Sequence, residues 1–123
     1  METIIGLVYS FSSLVMVVLS FPMIRGNVSR NKLYGFRTPS TLKNDEIWYP
    51  ANKASGYCML TAGLISGVGI TAIMLTNYIG LSKIAINFWA PCLLILSVII
   101  ALIFSFVFLH RIKSKLPPAH LNK

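Results

Sequence analysis

Three long runs without a charged residue alternate with basic polar segments: Thr3 to Ile24, Tyr57 to Tyr78 and Phe88 to Leu109. A helix needs about 20 predominantly apolar residues to cross the hydrocarbon core of a bilayer. Only helices and closed barrels satisfy their backbone there, and these runs lack the period-2 alternation of barrel strands. The pattern predicts an all-α membrane protein, a single domain over residues 1–123. Its three transmembrane helices would be joined by a loop at 25–56 and a short link after Tyr78. The first run is expected to be a retained helix rather than a signal peptide. Glu2 stands where a positive n-region belongs, and Pro22 to Arg25 offers no small-residue cleavage site.

Within the runs, small residues mark packing faces. Gly6, Ser10, Ser13 and Ser20 recur at helical spacing in the first, and Gly56, Gly63 and Gly67 in the second. Small side chains let backbones approach, which matters in lipid because apolar contact alone does not drive helices together. Helices one and two are therefore predicted to pack along these stripes. The third run has no glycine after Trp89 and is expected to face lipid more. Pro91 falls in its first turn, where a missing N–H costs little.

Composition agrees with this pattern. The chain is 55% hydrophobic and 11% charged, against roughly 25% charged in soluble domains. Its mean hydropathy is +0.72. The formal charge of +8 rests on 11 Lys and Arg against Glu2, Asp45 and Glu46. In a soluble chain this balance would suggest nucleic acid. Here it reads as basic loops facing anionic headgroups, without an RNP motif or zinc-finger spacing. The segment 25–53 carries six basic residues and the tail after Leu109 carries four, whereas the link between helices two and three carries Lys83 alone. The positive-inside rule then predicts an N-out, C-in topology with the long loop in the cytoplasm. Tyr78, Phe88 and Trp89 would form the outer aromatic belt, and Trp48, Tyr49 and Tyr57 the inner one.

Candidate catalytic groups are few, and no enzymatic role is expected. Cys58 and Cys92 enter their helices from opposite ends, roughly 20 Å or more apart in depth. That is beyond disulfide reach, and both read as small buried fillers. His110 and His120 lie in the basic tail without nearby acids or cysteines, so no metal and no cofactor is expected. Asp45 and Glu46 are adjacent and point about 100° apart on a helix. They suit a helix start, with Asn44 as N-cap. The spans hold no Asp, Glu, Lys or Arg, which argues against an autonomous transporter.

The chemically dense part is the loop. Tyr34, Gly35, Phe36, Arg37, Thr38 and Pro39 read as a turn, with positive φ at Gly35 and a fixed φ at Pro39. Such a turn would aim Arg37 either at a phosphate or carboxylate ligand or at a neighbouring helix end or Asp45. A short helix from Asp45 places Trp48, Asn52 and Gly56 four apart, with Trp48 at headgroup level and Asn52 within reach of the turn. Pro50 interrupts that helix and predicts a kink or a restart, which would take Trp48 and Asn52 off one straight face.

The ordered pattern Asn31, Tyr34-Gly35-Phe36-Arg37-Thr38-Pro39, Thr41-Leu42, Trp48, Asn52 and Gly56 resembles the SdpI family. These are small bacterial membrane proteins named after the immunity protein against a sporulation-delaying toxin. The resemblance covers roughly residues 15 to 110 and implies a three-helix module in the bacterial cytoplasmic membrane. It further implies a toxin-immunity or envelope-protection role through a membrane-active peptide or a lipid. The site residues would be Asn31, Tyr34, Gly35, Arg37, Thr38, Pro39, Thr41, Trp48 and Asn52, binding a ligand or pinning the loop. The alternative is an accessory subunit acting through helix–helix association, with membrane lipids and a second copy of the chain as partners and no nucleic acid.

Overall fold

The computed structural model describes residues 2–80 and 86–117. The predicted positions of Lys83, His120 and Lys123 lie outside the described residues. The described chain forms three helices: α1 (Glu2–Ile24), α2 (Asp45–Tyr78) and α3 (Ile86–Lys115). Each is long and apolar enough to cross a membrane.

Helix α1 ends where the chain supplies a stop. Gly26 adopts φ 71°, its N–H reaches the Met23 carbonyl at 3.2 Å, and the Asn27 N–H reaches Pro22 at 3.0 Å. This is a Schellman turn, in which a left-handed glycine lets the last carbonyls find donors. Helix α2 starts at the predicted cap: the Asn44 side chain accepts from the Glu46 N–H at 2.8 Å.

The predicted short helix and second span are one helix. Helix α2 runs for 34 residues, about 51 Å, so its first turns extend past a hydrocarbon core of about 30 Å. Pro50 lies inside it without ending it. The ring is on the exposed side, while Trp48, Ala51 and Asn52 are buried on the other. Trp48 and Asn52 therefore share a face, contrary to the interruption read from Pro50.

Helix α2 is the centre of the bundle. It packs extensively against both α1 and α3, which touch each other far less. Its contact with α1 runs through the small residues. A Cβ on Gly63 would lie 3.0 Å from the Ser13 carbonyl oxygen and 2.9 Å from Val17, and one on Gly67 would meet Ser13 Cβ at 3.4 Å. A Cβ on Gly56 would lie 3.1 Å from the Ile24 nitrogen, and one on Gly6 2.7 Å from the Met74 sulfur. Ser13 and Ser66 hydroxyls pair across this contact at 3.1 Å, and the Ser10 hydroxyl approaches the Met74 sulfur at 3.8 Å. On the other side, a Ser105–Ser55 bond at 3.1 Å links α3 to α2.

Two expectations change. Helix α3 is no more exposed than α1: 17% of the most apolar window is buried in each. Ala90, Ser97 and Ser105 are buried on α3, and Gly69 of α2 makes room for Leu93, whose side chain would lie 2.4 Å from a Cβ there. The cysteines are unpaired but are not core fillers, since Cys58 is half-buried and Cys92 exposed.

Candidate functional site

The loop between α1 and α2 folds back onto the first turns of α2, and its local bonds explain the fold. The Asn31 carboxamide oxygen accepts from the Leu33 and Tyr34 N–H groups at 2.7 and 2.8 Å, and its amide donates to Ser29 at 2.7 Å. A short polar side chain thereby supplies the backbone partners that no helix or sheet provides. The Tyr34 hydroxyl then reaches the Leu19 carbonyl of α1. Burial pushes the Tyr34 phenol above its usual pKa.

Gly35 turns the chain with φ 111°, a conformation strained for any residue with a Cβ. It also makes room, since a Cβ there would lie 2.4 Å from the Asn52 carboxamide oxygen. That oxygen accepts from the Phe36 N–H at 2.6 Å, while the Asn52 amide donates to the Trp48 carbonyl at 3.0 Å. Asn52 is only 2% exposed, so its bonds are made away from solvent.

Thr38, Pro39 and Thr41 close the second half of the loop. The Thr41 hydroxyl donates to the Phe36 carbonyl at 3.0 Å and accepts from the Thr38 N–H at 2.8 Å. The Thr41 N–H in turn reaches the Thr38 hydroxyl at 3.2 Å, and the Leu42 N–H reaches the Thr38 carbonyl at 3.0 Å. Pro39 opens the turn enclosed by that bond, where its fixed φ is at home.

Trp48 is fully buried, which corrects its assignment as a headgroup anchor. Its indole N–H donates to the Val28 carbonyl at 2.8 Å, and its ring packs with Met23, Val28, Phe36, Ile47, Ala51 and Leu109. This cluster joins all three helices and the loop. Val28, Phe36 and Leu109 were not marked as site residues from the sequence. Phe36 lay inside the motif, and an aromatic residue beside the charged Arg37 was the signal available.

Arg37 is exposed and donates to the Lys32 carbonyl, within the loop. The acid considered as its partner is engaged elsewhere: Arg30 pairs with Asp45 at 3.3 Å. Both members of that pair are well exposed, so it contributes about 0–1 kcal/mol. The end of α3 meets the loop, with Lys113 donating to the Ser40 hydroxyl at 3.2 Å and Phe106 standing edge-on to Phe36, ring centroids 5.2 Å apart. The basic residues of the loop and of the α3 tail therefore collect at one end of the bundle.

The structure thus brings together Asn31, Tyr34, Gly35, Thr38, Thr41, Trp48 and Asn52 in one bonded unit, with Arg37 on its surface. Gly6, Ser10, Ser13, Gly63 and Gly67 lie deeper in the bundle, and Gly56 joins the two regions. Among the described residues, no group of three or more His, Cys, Asp or Glu could hold a metal ion.

The SdpI/YfhL protein family matches residues 27–109 of this chain, which takes in the loop, all of α2 and most of α3. Searches of curated proteins and of solved structures gave no match. The family match covers well over half of the chain, and the chain belongs to the SdpI/YfhL family.

Proposed function

We propose that this SdpI/YfhL family membrane protein protects the cell envelope by binding a membrane-active peptide or lipid at the loop end of the bundle. It acts by recognition and not by catalysis. The observation that carries this reading is the contrast within the loop. Its buried polar groups satisfy one another, while Arg37 stands exposed on the turn they build. A guanidinium held on a fixed backbone loses little freedom on binding and offers a planar fork to a phosphate or carboxylate. The basic surroundings would draw the same anionic groups. In this reading the loop faces the cytoplasm and the N-terminus lies outside, as the distribution of Lys and Arg favours.

The test is a challenge of a sensitive bacterial host with membrane-active peptides. Wild type should protect, and Arg37→Ala at equal membrane abundance should not. Failure of the wild-type chain to protect against any of them would sink the proposal.

The accessory-subunit reading is less supported for self-association through Gly63. The space over Gly63 is taken by Val17 and Ser13 of the same chain, which leaves that face little room for a second copy.

A further inference from the structure

One face of α3 combines an apolar strip with a charged end. Ile99, Leu102, Ile103, Phe106 and Val107 line a shallow groove of about 660 Å³, and all five are substantially exposed. The groove ends at His110 and Arg111. Grooves of similar size between α1 and α2, and between α2 and α3, have no charged residue in their lining. From Ile99 to Arg111 the helix rises about 18 Å, slightly more than half of a hydrocarbon core of about 30 Å. The surface is thus about one leaflet long, apolar along its length and cationic at its end.

We propose that this face holds one anionic phospholipid, with an acyl chain along Ile99, Ile103 and Phe106 and the phosphate on the Arg111 guanidinium. Helix-end electrostatics do not explain Arg111. It lies before the last turn, where Lys113 and Lys115 already meet the negative end of the dipole. Lys113 is bonded to Ser40, whereas the Arg111 guanidinium has no hydrogen-bond or ion-pair partner among the described residues and only its carbonyl is engaged, by the Ser114 hydroxyl. A second copy of the chain fits the face poorly. Its side chains are large where helix pairs in lipid need small ones. A symmetric pair in parallel would also bring two Arg111 residues to the same depth. A phospholipid is complementary on both counts, its acyl chain to the large apolar side chains and its phosphate to Arg111. This site is separate from the Arg37 surface and stands whether or not the chain protects a host.

Native mass spectrometry of the purified chain, titrated with dioleoyl-phosphatidylglycerol or dioleoyl-phosphatidylcholine, tests it. Phosphatidylglycerol should bind more tightly. Arg111→Gln should weaken phosphatidylglycerol binding about fivefold and phosphatidylcholine, whose choline offsets the phosphate charge, by less. Ile103→Ser should weaken both lipids, and Lys43→Gln, which removes one charge elsewhere, should change neither by more than about twofold. Equal losses from Arg111→Gln and Lys43→Gln would overturn the site in favour of diffuse attraction. Absence of a preference for phosphatidylglycerol, or a dimer abolished by Ile103→Ser, would overturn it too.

Discussion

The loop end and the membrane-length body of this protein are held together in different ways. At the loop end, side chains and backbone exchange hydrogen bonds around a buried tryptophan, and nearly every motif residue has a named partner. In the body, α1 and α2 meet through glycine and serine, with the Ser13–Ser66 pair bridging the contact. The first region depends on particular atoms at particular positions. The second depends mainly on side-chain size, and many sequences could satisfy it. The choice of the loop end as the place to seek recognition follows from this difference.

The largest effect should come from a single methyl group at the loop end. Gly35→Ala strains a φ of 111° and pushes a Cβ against the Asn52 oxygen, a combined cost of about 3–5 kcal/mol. Gly26→Ala is the control: φ is 71° but nothing lies within 4 Å of its Cβ, so strain alone, about 1–2 kcal/mol, remains. Thermal unfolding in detergent should rank the two in that order. Equal losses would mean that the Asn52 contact contributes nothing.

Next comes overpacking in the body. Gly63→Leu meets a backbone oxygen and Val17 and should destabilise the monomer by about 1–3 kcal/mol. The readout is unfolding at fixed mass in detergent. Loss of an oligomer with monomer stability intact would show that Gly63 faces a partner. The smallest effect should be that of Ser13→Ala, which removes one interhelical hydroxyl pair worth about 0.6 kcal/mol. A double-mutant cycle with Ser66→Ala would isolate the pair, and a coupling near zero would leave size as the only determinant there.

The two regions also differed in how far the sequence revealed them. The body was legible because length and the absence of charge decide a span, and all three helices lie where the runs predicted. The loop was legible in its local turns: positive φ at Gly35 and the Asn44 cap follow from neighbours close in the chain, and the reach of Asn52 to the turn, sixteen residues away, was the one distant contact expected. Other contacts between distant segments were not legible. Trp48 looked like a headgroup anchor because the residues that bury it, Met23, Val28, Phe36 and Leu109, come from four separate places in the chain. Pro50 looked like a break because sequence does not show that its ring lies on the exposed side of a helix held by packing on the other. The choice of Arg30 over Arg37 as partner of Asp45 likewise depends on how the loop folds back.

The loop is a built platform on α2, with Arg37 carried on its surface. Hydrogen–deuterium exchange at the Phe36 amide tests this most directly, because that N–H is buried and bonded to Asn52. In the wild type it should exchange as slowly as amides within α2, and Asn52→Ala should speed it by at least about tenfold, the equivalent of about 1.4 kcal/mol. Exchange of the wild-type Phe36 amide at the rate of an open loop, unchanged by Asn52→Ala, would contradict the account.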